Sequence, residues 1–137
     1  MLTVVRATQA VYHAIKQDID RYSPKETMLF ARARWVRLGD REVYLMPEVI
    51  ALDEGDACRS SGMTQPDPAF QRWFYGALNK GGLLAQGYRV VTIHSHPFQA
   101  DEASFSSVDW ETMAKDREIY ARAYDGHDFL WLVFNRD

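Results

Sequence analysis

The sequence predicts a mixed α/β (α+β) domain, a mixed central sheet flanked by helices. Three observations carry that expectation. Stretches with apolar residues at helical spacing alternate along the chain with β-branched and apolar stretches of strand length. The resulting order is helix, strands, helix, strand, helix, strand, which belongs to neither the all-α nor the all-β class. The 137 residues are enough for one domain with a sizeable core, with no repeat, low-complexity segment or linker to divide them.

The first helix is expected over about Thr8 to Ile19. Val11, Ile15 and Ile19 recur at four-residue spacing, and Ala7 and Ala14 extend the face. Lys16, Asp18 and Asp20 are placed on its wet side, and His13 reads as a surface or partly buried histidine rather than a ligand. Tyr22-Ser23-Pro24 ends the helix, because the residue before a proline avoids the helical region. From Glu26 to about Val36 the pattern turns to strand. Gly39-Asp40 makes a turn, and Glu42 to Leu45 returns as the second strand of a hairpin. Met46-Pro47 ends that strand or sets the proline at an edge, and a short strand is read through Val49 to Leu52. Asp53 to Pro66 is polar and rich in small residues. It is the longest irregular segment, either a substrate-facing loop or a plain surface connection.

Asp67-Pro68 has the form of an N-cap followed by proline at the first helical position. Phe70, Phe74, Ala77 and Leu78 give the second helix its apolar face, and Gly81-Gly82 ends or interrupts it. Tyr88 to Ile93 reads as the central strand. A third helix follows Asp109, with Trp110, Met113, Ala114, Ala121 and Tyr124 near helical spacing and Asp125-Gly126 as its stop. Phe129 to Phe134 is an almost continuous apolar run, expected as a strand buried on both faces. The chain stops abruptly three residues later, as expected of one domain of a longer protein.

Composition narrows the classes of function. A net charge of −3 provides no general basic field for nucleic acid. The single cysteine, Cys58, excludes an intramolecular disulfide and a cysteine-based zinc cluster. Arg6, Gln9 and His13 interrupt any signal-peptide pattern, and no apolar run approaches membrane-spanning length. The expected location is the cytoplasm.

The chemistry concentrates between His94 and Asp109, HSHPFQADEASFSSVD. If the central strand continues through the histidines, His94 and His96 share a face because side chains alternate with period two, and Ser95 points to the other. Two imidazoles on one face can share a metal ion, with Asp109 as a third ligand. A fourth tetrahedral position is then left for water, the arrangement of a catalytic zinc site. Ser106-x-x-Asp109 read alone is a capping box at the start of the third helix. The combination places three suitable ligands at a strand-end crevice, where open α/β sheets build their sites. A hydrolase built there also needs a base. Glu26 is the candidate, since it begins a strand after a break and so lies near a sheet end. Spacing alone does not lift it above Glu42, Glu48 or Glu102.

Taken together, these residues resemble the JAMM family, the JAB/MPN-domain zinc metalloproteases. The family motif is an upstream Glu, then His-Ser/Thr-His-Pro, a loop, and Ser-x-x-Asp. Here the matching residues are Glu26, then His94-Ser95-His96-Pro97, then Ser106-Ser107-Val108-Asp109. The order of helices and strands also agrees, so the resemblance spans nearly the whole chain. It implies a cytidine-deaminase-like sandwich forming one JAB/MPN domain over residues 1–137. It also implies zinc (Zn2+) bound by His94, His96 and Asp109, Glu26 as general acid and base, and Ser106 stabilising the oxyanion or holding the water. The implied reaction is hydrolysis of the amide bond after the C-terminal Gly-Gly of ubiquitin or a ubiquitin-like protein, in deconjugation or precursor processing. Arg59-Ser60-Ser61 and Phe105 to Asp109 resemble bacterial members associated with or fused to E1-like (ThiF-like) enzymes, which makes E1-like and E2-like enzymes expected partners. Two other activities stay open under the resemblance: a JAB hydrolase acting on a sulfur-carrier protein, and a non-catalytic MPN scaffold. The sequence departs from the family pattern in two places. Glu26 is followed by Thr-Met-Leu-Phe-Ala rather than an early glycine, and the long loop from Pro97 to Phe105 carries Asp101 and Glu102 as alternative ligands.

Overall fold

A computed structural model of the protein describes residues 2–60, 64–80, 82, 83, 85–96, 107–123 and 130–135. Its main sheet is mixed and six-stranded. β1 (Leu2–Ala7) leads into α1 (Gln9–Tyr22), followed by β2 (Met28–Leu38), β3 (Arg41–Met46) and the short β4 (Ile50–Ala51). A small hairpin, β5 (Ala57–Arg59) and β6 (Thr64–Pro66), precedes α2 (Pro68–Lys80). β7 (Tyr88–His96), α3 (Ser107–Ala123) and β8 (Leu130–Asn135) complete the described elements. The sheet order is β1-β3-β2-β7-β8, with β4 also on β2. β2 pairs antiparallel with β3, β4 and β7, while the β1–β3 and β7–β8 pairs are parallel.

The local chemistry explains the boundaries. Thr8 caps α1 by accepting the Val11 N–H through its hydroxyl at 3.2 Å. Asp67 accepts the Ala69 N–H at 2.9 Å ahead of Pro68, as the sequence predicts for α2. Gly39, at φ 63°, supplies the left-handed residue of the tight β2–β3 turn.

Two apolar clusters hold the sheet, one on each face. Val11, Ile15 and Ile19 of α1 pack on Leu29, Ala31, Ala33, Tyr44, Val91 and Ile93. On the opposite face Phe70 and Phe74 of α2 pack on Met28, Phe30, Leu52 and Val90, with Phe30 at 5.1 Å from the Phe74 ring and 5.4 Å from the Phe70 ring. The alternation is strict in β7. Val91, Ile93 and Ser95 face α1, so Val90, Thr92, His94 and His96 face the α2 side.

Several expectations need correction. β1 is not among the predicted elements, and the irregular segment from Asp53 to Pro66 contains the β5–β6 hairpin. Asp18, expected on the wet side of α1, is 6% exposed. Its position follows the apolar stripe 11, 15, 18, 19, so the periodicity already placed it inward. Among the described residues β8 lies at the edge of the sheet, and residues 130–134 are half-buried rather than buried on both faces. Of the apolar positions expected to seat α3, Trp110 is 61% exposed and Ala114 is also exposed. The expected helix stop at Asp125-Gly126 lies outside the described residues. No described helix is long and apolar enough to cross a membrane.

Candidate metal centre

β7 does continue through the histidines, and His94 and His96 lie side by side at its carboxyl end, each 5% exposed. Their ring centroids are 5.2 Å apart. Asp109 is the third residue of α3, where the helix N-terminus favours a carboxylate. One carboxylate oxygen, Oδ2, lies 3.2 Å from His94 Nε2 and 3.1 Å from His96 Nε2. The donor atoms of the three residues all fall within 4.8 Å of one another.

These separations fit a metal ion. Two ligand atoms bonded at about 2.0–2.1 Å around a tetrahedral zinc lie about 3.3 Å apart, close to the spacing of Asp109 Oδ2 from each imidazole. Two imidazole nitrogens and one carboxylate oxygen also form a donor set that suits a borderline cation such as zinc. The three residues can therefore hold a metal ion. Burial pushes the His94 imidazole below its ordinary range, against the opposing pull of the Asp109 charge and hydrogen bond. A neutral ring keeps a lone pair available for a cation.

Glu26 comes to the same face through strand pairing. Met28 is opposite His94 in the antiparallel β2–β7 ladder. Just beyond it, the Ser95 N–H donates to the Thr27 carbonyl at 3.0 Å, and the Thr27 N–H donates to Ser95 Oγ, also at 3.0 Å. Continued one residue further, this register sets Glu26 across from His96, and residues directly opposite share a face. Glu26 is 7% exposed, and its own N–H donates to the Ser60 carbonyl at 2.7 Å. Burial, reinforced by the Asp109 charge, pushes its carboxyl up to about 7. Two rival glutamates are engaged elsewhere. Glu42 accepts from the Trp35 indole and the Thr3 hydroxyl, and exposed Glu48 faces Arg32 at 3.6 Å. Ser106, and with it the Pro97–Phe105 loop that carries Asp101 and Glu102, lies outside the described residues.

Sequence reasoning missed the polar group behind Glu26. The Thr27 hydroxyl donates to Asp18 Oδ2 at 2.6 Å and accepts from Arg59 Nε at 3.0 Å. Arg59 also donates through Nη2 to the Leu52 carbonyl, and its guanidinium lies 3.7 Å from the centroid of the Tyr22 ring. Burial pushes the Asp18 carboxyl up, while Thr27, Arg59 and Arg21 act to lower it. The available signal was the placement of Asp18 on the helical stripe; nothing local marked Arg59 as its partner.

Searched against protein-family models and against curated proteins, the chain has no match.

Proposed function

We propose that the chain is a zinc-dependent hydrolase of the JAMM (JAB/MPN) type, acting on the amide bond after the C-terminal glycine of a ubiquitin-like protein. The observation that carries this reading is the meeting of His94, His96 and Asp109 at the end of β7, with a buried Glu26 on the same face. The motif Glu26, His94-x-His96-Pro97, Ser106-x-x-Asp109 supports the family, and the helix-flanked mixed sheet agrees with a cytidine-deaminase-like sandwich.

In this mechanism His94, His96 and Asp109 would hold the ion. Bound there, zinc supplies a Lewis acid that polarises the scissile carbonyl and acidifies water. Glu26 takes a proton from the attacking water at its carboxylate oxygen and returns it to the departing amine. Burial, the larger cause of the raised carboxyl in the metal-free chain, favours its protonated form, the direction that suits a group that accepts a proton and then returns it. The α2 cluster around Phe30, Phe70 and Phe74 packs on the same sheet face, next to Met28, the residue opposite His94. Ser106 is the family's oxyanion residue under the same reading. A cytoplasmic setting and E1-like or E2-like partners belong to this proposal as well.

The test uses a ubiquitin-like protein joined through its Gly-Gly terminus to a fluorogenic amine. Cleavage should leave a product ending in Gly-Gly, stop on chelation and return with zinc. A chain that binds zinc stoichiometrically yet cleaves no member of a panel of such fusions contradicts the hydrolase reading and leaves a metal-binding scaffold.

A further inference from the structure

The polar group beneath Glu26 joins four parts of the fold. Asp18 comes from α1, Thr27 from the approach to β2, Arg59 from β5 and Ser95 from β7. Asp18, Thr27 and Ser95 are all nearly inaccessible, at 6%, 0% and 1% exposure. Burying a carboxylate is costly unless it is hydrogen-bonded and faced by a cation. An apolar residue at position 18 would fill the α1 stripe without that cost. The arrangement is also directional. The Thr27 hydroxyl has one proton, which goes to Asp18, leaving its lone pairs for Arg59 Nε–H.

Both neighbours of this network touch the same residue. Thr27 directly follows Glu26, and Ser60, directly after Arg59, supplies the carbonyl that accepts the Glu26 N–H at 2.7 Å. Arg59 is held at three points: the Thr27 hydroxyl, the Leu52 carbonyl and the Tyr22 ring. Because Glu26 itself precedes β2, ladder hydrogen bonds alone do not fix it.

We propose that Arg59 is a positioning residue for Glu26. It acts through the Thr27 hydroxyl and the Ser60 carbonyl, with Asp18 as the buried anion that locks the pair. The consequence for turnover rests on the reading of Glu26 as the base; the consequence for backbone order at Glu26 does not. The contacts of Arg59 are with Thr27, Leu52 and Tyr22 and not with His94, His96 or Asp109, and it reaches the strand that carries the histidines only through Thr27, whose N–H and carbonyl pair with Ser95.

Two measurements on the zinc-loaded chain test the proposal, using Arg59→Met, Arg59→Lys and the shape-conserving Thr27→Val. In hydrogen exchange followed by NMR, the Glu26 amide should exchange roughly tenfold faster in Arg59→Met and Thr27→Val, while Val91 in the middle of the β2–β7 ladder keeps its protection. With a ubiquitin-like protein linked through Gly-Gly to a fluorogenic amine as the probe, kcat should fall roughly ten- to hundredfold while KM stays within about twofold, the mark of a misplaced catalytic group. Arg59→Lys should recover part of the loss. If Arg59→Met does not fold, Thr27→Val carries the same expectations. Unchanged protection of Glu26 overturns the proposal, as does faster exchange with an unchanged kcat. A wild-type chain that leaves the probe intact counts against the hydrolase reading, and the exchange result then decides the positioning role by itself.

Discussion

Replacing Glu26 by glutamine should make the metal-free protein more stable while abolishing the proposed hydrolase activity. The folded-state carboxyl is raised from 4.5 to about 7, first by burial and then by the Asp109 charge. A group raised on folding contributes stability that is complete below the unfolded value and is lost as the pH rises through the folded one. Wild-type protein therefore loses stability from this group between pH 4.5 and about 7. Glutamine keeps the shape and has no charge to bury. Taken at full strength the shift corresponds to about 3 kcal/mol, and solvent screening at this strand-end carboxyl reduces that to roughly 1–2 kcal/mol. For a chain of this length the gain is roughly 3–8 °C in Tm above pH 7.5, fading to nothing near pH 4.5. Thermal melts of both proteins after chelation, followed by circular dichroism from pH 4.5 to 8.5, measure it. On the zinc-loaded chain the same substitution should leave metal content intact and, under the proposed function, lower turnover by roughly two to four orders of magnitude. Equal melting at every pH would refute the buried-carboxyl reasoning, and near-normal turnover would move the base to another acid, with Glu102 the first to try.

Two further predictions follow from the same site. Ser106→Ala should depress kcat more than it raises KM if the hydroxyl acts on the transition state; a pure helix cap predicts instead a loss of about 1 kcal/mol in stability with ordinary turnover. His94, lowered by burial, contributes stability that is present above pH 6.5 and lost as the pH falls below it, so the acid side of the metal-free melting profile should flatten in His94→Gln.

The histidine pair was legible in the sequence because period two is a local rule, and Tyr88 to Ile93 announces its strand plainly. Asp109 was legible as an acid in the first turn of a helix following that strand. The choice of Glu26 over Glu42 and Glu48 was not derivable from spacing. It depends on the Thr27–Ser95 pairing, a contact between residues 68 apart in the chain. β1 escaped for a similar reason: its six residues gain their partner, β3, only through a parallel, non-local pairing. The three-residue strands of the β5–β6 hairpin are too short for any periodicity to show. In β8 the continuous apolar run suggested two buried faces, yet the strand closes one edge of the sheet, paired only with β7 among the described residues. Asp18 shows the opposite failure. The helical spacing was correct, but the usual exposure of aspartate was allowed to override it.

The most direct test of the account is the metal content of the purified chain, by elemental analysis after exposure to zinc and removal of excess. The wild-type protein should hold a single zinc ion per chain, Glu26→Gln should hold the same, and His94→Ala, His96→Ala and Asp109→Ala should each fall to near zero, because a three-ligand site does not survive the loss of one ligand. Stoichiometric zinc in both histidine variants, or none in the wild type, would contradict it.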